Sequence, residues 1–149
     1  MKVKNVNSKD LKQVMNLEKE VFGENAFSKR LMEQLIHRNT FFLKLVNNSN
    51  SNDLIGFIIV IRDRLDRVNI INFLINPRFQ NKGYGTLLLK NALQRITQLE
   101  DVKKVVLNVQ VSNTPAIKLY EKFNFKKEPD RIVNYYQSGE SAYFMELSL

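Results

Sequence analysis

Residues Ile70–Leu89 run IINFLINPRFQNKGYGTLLL. The apolar run from Ile70 to Ile75, with Asn72 inside it, stops at Pro77, which has no N–H to give a sheet ladder. A buried strand ends there. The next residues, Arg78 to Gly85, carry two basic side chains and two glycines, after which Leu88, Leu89, Ala92, Ile96 and Leu99 recur at helical spacing. The unit is a strand, a basic glycine loop and a helix.

Such a unit has a chemical use. Successive backbone N–H groups in a tight loop, backed by a helix N-terminus, form a nest for phosphate oxygens. Gly83 and Gly85 would let backbone approach such a ligand closely, although two glycines also suit an ordinary turn into a helix. A Walker loop is absent, and a Rossmann fingerprint fails because Leu88 stands where its third glycine would be.

Gln80-Asn81-Lys82-Gly83-Tyr84-Gly85 resembles the Q/R-x-x-G-x-G/A acyl-CoA pyrophosphate loop of the GNAT N-acetyltransferases. A second block, Leu107 to Phe125, LNVQVSNTPAIKLYEKFNF, is similar to that family's following strand and helix. Asn134-Tyr135-Tyr136 resembles the N-Y-Y hairpin of the branch that acetylates protein N-termini, the ribosomal-protein alanine acetyltransferases included. Together these blocks cover essentially the whole chain.

Working outward, Lys2 to Val6 reads as an opening strand, and Ser8 as the N-cap of a helix reaching Phe22. Glu18 interrupts that helix's apolar stripe and is expected at its edge, reaching water. Ser28 can cap a second helix through Leu31, Leu35 and Ile36, with the lone His37 at its exposed end. Thr40–Val46 and Leu54–Ile61 are β-rich, joined by the polar stretch Asn47–Asp53, and Arg62–Arg67 makes the next turn. Val105–Val109 must return beside the Ile70 strand through a helical crossover, hence parallel to it. A helix begins near Asn113-Thr114-Pro115 and ends at Asn124, which tolerates the left-handed conformation. Phe125–Val133 and Tyr143–Leu147 then close the chain as a hairpin around Gln137–Glu140. The order β-α-α-β-β-β-α-β-α-β-β matches the GNAT fold, an α/β (α+β) domain whose mixed, mostly antiparallel twisted sheet of about seven strands is flanked by helices on its faces.

The whole of the 149 residues reads as a single domain. No cysteine is present, so a catalytic thiol, thiolate metal ligands and disulfides are excluded together, and no metal is expected. The N-terminus lacks a signal peptide's apolar core and no run is long enough to span a bilayer, so a cytoplasmic protein without membrane attachment is expected. The net charge of +8, from 23 Lys+Arg against 15 Asp+Glu, favours anionic partners: a phosphate-rich cofactor, RNA-containing particles or acidic peptides. No basic run with interleaved aromatics marks a nucleic-acid surface.

The resemblance implies acetyl-CoA as cosubstrate and direct transfer to an amine. It places Gln80, Asn81, Lys82, Gly83, Tyr84, Gly85 and Thr86 at the pyrophosphate. Phe73, Leu74 and Ile75 pair with the pantetheine arm, and Asn113 makes a further cofactor contact. Tyr120, a core residue by periodicity alone, matches the family's tyrosine that protonates the departing thiolate; a phenol suits this because its ordinary pKa is ~10. Asn108 stands where the ribosomal-protein branch has a glutamate base, and an amide accepts no proton at neutral pH, so it is expected to hold a water. Glu24, in the Gly23-Glu24-Asn25 loop that resembles the family's P-E-N, is the substitute base expected from partial desolvation. Phe22, Glu24, Asn72, Tyr135 and Tyr136 are expected to contact the acceptor. A peptide α-amine, with an ordinary pKa of ~7.7–8.0 against ~10.4 for lysine, needs little base. The expected acceptor is therefore a protein or peptide N-terminus, with ribosomal proteins as one such class. Small amines such as polyamines, lysine side chains, or a non-catalytic acyl-CoA-binding role are the alternatives, and the expected assembly is a monomer or weak dimer.

Overall fold

The computed structural model describes residues 1–47 and 53–149; most of the expected Asn47–Asp53 connection lies outside the described residues. Strand β1 (Lys2–Asn5) leads through a 3-10 turn at Ser8–Asp10 into helix α1 (Leu11–Phe22). The cap is Asn7 rather than Ser8. Its side chain accepts from the Lys9 N–H at 2.9 Å while Asp10 accepts from the Asn7 N–H at 2.9 Å, a reciprocal box that starts the turn one residue earlier. A second 3-10 turn, Gly23–Asn25, joins α1 to α2 (Lys29–His37), which Ser28 caps through the Leu31 N–H.

Strands β2 (Phe41–Val46), β3 (Leu54–Arg64) and β4 (Arg67–Ile75) follow, then α3 (Tyr84–Thr97), β5 (Lys104–Gln110), α4 (Thr114–Lys122), β6 (Lys126–Lys127) and β7 (Ala142–Ser148). The β3–β4 turn is tighter than expected, only Leu65 and Asp66, because the Arg67 guanidinium donates to both Asp63 oxygens at 2.9 and 2.8 Å and zips the strands to their ends. Beyond β6 the expected strand to Val133 does not form. Pro129 breaks the ladder, and pairing resumes only as a single bridge between Ile132 and Ala142. Asn124 takes the left-handed conformation expected of it, φ +72°.

The seven strands lie in the order β1-β2-β3-β4-β5-β7-β6, antiparallel at every seam but β4–β5, where the α3 crossover makes the pair parallel. Central β3 is buried from Leu54 through Val60, which explains its unbroken apolar sequence. One core, including Ile58, Val60, Ile70, Leu88, Ala92 and Leu107, packs under α3 and α4. The other, including Val14, Leu17, Met32, Phe57, Ile59 and Leu74, packs under α1 and α2.

Two irregularities open this sheet. The β4–β5 register holds for only four pairs, Arg67↔Lys104 to Ile70↔Leu107. Beyond them β4 stays with β3 as far as Ile75↔Gly56, and β5 stays with β7 as far as Gln110↔Ala142, so the strands part as a V. At the start of the V, Ile59 pairs with Asn72 and Val60 with Ile70, leaving Ile71 as a bulge. Strict alternation would send Asn72 to the face of Val68 and Ile70. The extra residue turns it, with Leu74, onto the α1–α2 face.

Candidate active site

The V holds a cleft walled by Ile70–Phe73 of β4 and Asn108–Gln110 of β5. Glu18, Phe22, Asn25 and Phe27 close it from the α1–α2 side, Asn113 and Tyr120 from α4, and Tyr136 from the β6–β7 connection. Parted parallel strands leave backbone donors and acceptors without sheet partners, so these walls can hydrogen-bond an extended ligand.

At one wall the bulge brings Asn72 against Glu18. The Asn72 Nδ2 donates to both Glu18 oxygens at 2.7 and 2.9 Å, and the Phe27 N–H donates to Oε2 at 3.1 Å. Glu18 is 0% exposed, which corrects the expectation that it reaches water. Burial pushes its carboxyl above the ordinary value, with the hydrogen bonds from Asn72 and Phe27 opposing the rise. Glu24 sits differently: it is exposed in the 3-10 turn and does not line the cleft. The desolvation expected of Glu24 is found at Glu18 instead.

Across the V, Tyr120 is 5% exposed, with its ring 6.0 Å from Phe73 and 5.5 Å from Phe125. Burial, then the nearby Tyr136 phenol, pushes its hydroxyl well above the usual phenol range, so it is protonated at neutral pH. Burial, then Tyr135 and Glu140, raises Tyr136 likewise. On β5, the Asn108 Nδ2 donates to the Tyr135 hydroxyl at 3.1 Å, while its Oδ1 is buried without a hydrogen-bond partner among the described residues. An orphaned buried acceptor beside a cleft calls for a donor from a water or a ligand. Asn113 caps α4 by accepting from the Ala116 N–H at 3.3 Å.

At the end of β4, the loop before α3 rises beyond the cleft. Gln80, Asn81, Lys82, Gly83 and Thr86 are exposed there, with Tyr84 and Gly85 half-buried. Helix α3 has no side-chain cap, in contrast to α2 and α4, so its first N–H groups are available to an anion. Gly83 is left-handed at φ +81° with open space where a Cβ would point, whereas a Cβ on Gly85 would lie 3.2 Å from Leu119 Cδ2. The first glycine shapes the nest; the second lets α3 pack closely beside α4.

The sequence profile of the Acetyltransferase (GNAT) family matches residues 11–125. The chain belongs to this family of acetyltransferases. Its relatives include an N-alpha-acetyltransferase of Saccharolobus solfataricus, 27% identical over 96% of this chain and 90% of the relative. A ribosomal protein bS18 alanine N-acetyltransferase of Salmonella typhimurium is 34% identical over 57% of this chain and 58% of the relative. Matches to two further curated N-alpha-acetyltransferases span only 48% of those relatives' own length. Among solved structures, Ard1 from Thermoplasma volcanium has the same fold, with a TM-score of 0.89 at 22% identity over 99% of this chain and 97% of that one.

In this GNAT chain the cleft gathers Phe22, Asn72, Phe73, Asn108, Asn113, Tyr120 and Tyr136, from five separate elements. Tyr135 is 48% exposed and touches the site through Asn108. Leu74 is 5% exposed on the opposite face, so only its backbone can serve a ligand between the strands. Glu18 and Asn25 are among the lining residues given no role from sequence: Glu18 reads there only as a carboxylate at the edge of an apolar stripe, and Asn25 only as part of the Gly23-Glu24-Asn25 loop, its partner Ser138 lying 113 positions away.

Proposed function

We propose that the chain transfers acetyl from acetyl-CoA to the free α-amine of protein or peptide N-termini. The observation that carries this reading is the cleft itself: an unpaired strand edge leading from an uncapped helix N-terminus to a buried phenol, in a chain whose relatives include N-alpha-acetyltransferases. The residues fit acetyl-CoA. The N–H groups of the Gln80–Thr86 loop would take the pyrophosphate, and the backbone edge of Phe73–Ile75 that faces away from β3 the pantetheine amides and the acetyl oxygen.

Bound acetyl-CoA supplies an activated thioester. Asn108, through its orphaned Oδ1, would position a water that takes the amine's proton and passes it to solvent. As the nitrogen attacks the carbonyl carbon, a C–N bond forms and the C–S bond breaks. Tyr120, protonated at neutral pH as any phenol is, then donates its proton to the departing sulfur. Glu24 is exposed and lies outside the cleft lining, so it has no base role in this reading. Glu18, with its oxygens shared among Asn72 and Phe27, shapes the wall instead.

The acceptor preference rests on charge as well as shape. Among the cleft's described lining residues the one carboxylate is Glu18, fully buried and hydrogen-bonded, so a polycationic amine finds no exposed anionic wall. The walls are otherwise amides and aromatics, which suit a peptide backbone. Acetyl-CoA-dependent thiol release from peptides varied at the first residue, with an N-blocked lysine peptide and spermidine as controls, tests the reading. Release confined to free N-termini is expected; release from spermidine or the blocked peptide alone overturns it.

A further inference from the structure

Two amides stand at the fork of the V, on one face of the sheet. Pairing between β4 and β5 ends at Ile70↔Leu107; the next residue on β5, Asn108, turns away from the core that holds Leu107, and the bulge at Ile71 turns Asn72 to that same side. Both line the cleft. Each spends its NH2 group on a neighbour, Asn108 on the Tyr135 hydroxyl and Asn72 on the Glu18 carboxylate. What each has left is an oxygen. Asn108 Oδ1 is buried without a partner, and Asn72, 8% exposed, accepts no hydrogen bond through its Oδ1 among the described residues.

The orientation of the Asn72 amide is dictated by its neighbour. An ionised carboxylate accepts and never donates, so only Nδ2 can face Glu18. Glu18 is fixed in turn, because Oε2 also takes the Phe27 N–H and the side chain is 0% exposed. We propose that Glu18 is a positioning residue that locks the Asn72 amide with its oxygen toward the cleft, where that oxygen accepts an N–H of the attacking amine. The inference rests on the acetyl transfer proposed above and deepens it by assigning the site of the amine. A neutral primary amine has two N–H groups and one lone pair. One N–H goes to Asn72 Oδ1 and the other to the water at Asn108 Oδ1, which leaves the lone pair aimed at a thioester carbon lying between the strands. An amide turned the other way would set a donor against a donor.

The test exchanges donor and acceptor across the pair. In Glu18→Gln the Phe27 N–H still requires the oxygen of residue 18, so the new NH2 group faces Asn72, whose amide turns over and shows its own NH2 to the amine. Both contacts of the wall survive in that variant, so a merely structural Glu18 predicts little loss of activity. Glu18→Gln/Asn72→Asp keeps the net charge, again sets a donor against an acceptor, and returns an oxygen to the cleft. The kcat/KM for a free-N-terminal peptide is measured in the wild type, Glu18→Gln, Asn72→Ala and the double variant, each with its melting temperature and its KM for acetyl-CoA. Glu18→Gln should lose about 30-fold and Asn72→Ala about tenfold, the double variant should recover to within about fivefold of wild type, and the KM for acetyl-CoA should stay within about twofold throughout. Wild-type kcat/KM in Glu18→Gln, or a double variant slower than Glu18→Gln, overturns the proposal. Should the Glu18 variants fail to fold, wild-type kcat/KM in Asn72→Ala overturns it, and a tenfold loss at unchanged acetyl-CoA KM supports it. A wild type that acetylates spermidine but no peptide N-terminus overturns the functional reading alone; the same series run on spermidine, whose primary amines carry the same N–H groups, then decides the role of the amide.

Discussion

Tyr120 and Glu18 are both buried ionisable groups, and burial favours the neutral form of each, with different consequences. For Tyr120 the neutral form is the useful one. Its hydroxyl makes no hydrogen bond among the described residues, so Tyr120→Phe should leave the melting temperature within a degree or two while lowering kcat by about 10²–10⁴-fold at unchanged acetyl-CoA KM. Wild-type turnover in that variant would remove Tyr120 from the mechanism. Glu18 makes its own demand on stability. Its folded pKa is raised above 4.5, so the native state holds that proton more tightly than the unfolded chain, and stability falls as pH climbs from 4.5 through the raised value, then levels. Glu18→Gln cannot titrate. Denaturation of both proteins across this window should therefore show the wild type losing stability relative to Glu18→Gln as pH rises; parallel profiles would mean that Glu18 ionises as readily in the native state as in the unfolded chain. The two groups were unequally legible. Tyr120 lies inside a local block whose pattern is contiguous, whereas the role of Glu18 depends on a bulge that turns Asn72 toward it, and a bulge is a pairing fact without a local sequence signature.

At the level of elements, the loop from β4 into α3 was readable because its determinants are local: a proline that ends a strand, a basic glycine turn and a helical apolar repeat. What sequence could not separate were the two glycines. Gly83→Ala forces a Cβ into left-handed backbone at φ +81° and should cost about 1–2 kcal/mol, along with a raised KM for acetyl-CoA as the nest shifts. Gly85→Ala is tight only against the end of the flexible Leu119 side chain, at 3.2 Å, with Ile75 and Phe73 at ordinary contact distance, and gains helix propensity of about 1 kcal/mol, so its stability should stay near wild type. Thermal denaturation of the pair decides it, since equal losses would place both glycines in the same role. The last hairpin departs from the expected strand over Phe125–Val133 because Pro129 removes the donor that the ladder needs, and the connection onward to β7 becomes an arch that carries Tyr136 beside the cleft.

Across the whole molecule, the β4–β5 seam joins two half-sheets by four residue pairs, while β3–β4 and β5–β7 are paired along most of their lengths. This narrow seam could not be foreseen, because register between strands separated by a helix depends on both halves at once. It makes the ligand part of the fold's cohesion. A cosubstrate lying in the V would satisfy the open backbone edges of both strands and link the halves. At about 100 times its Kd it should then add about 2.7 kcal/mol to stability, and for a domain of this size raise the melting temperature by about 5–10 °C. The distribution of that gain is the sharper test. Amides of Ile71–Ile75 and Asn108–Gln110 pair with no strand across the V, so hydrogen exchange should slow there on adding CoA, as well as in the Gln80–Thr86 loop. Protection confined to the loop would mean that CoA is held by its phosphates alone and leaves the seam unbridged. Protection at both strand edges would place the pantetheine between the half-sheets, with its sulfur end reaching the wall that carries Tyr120.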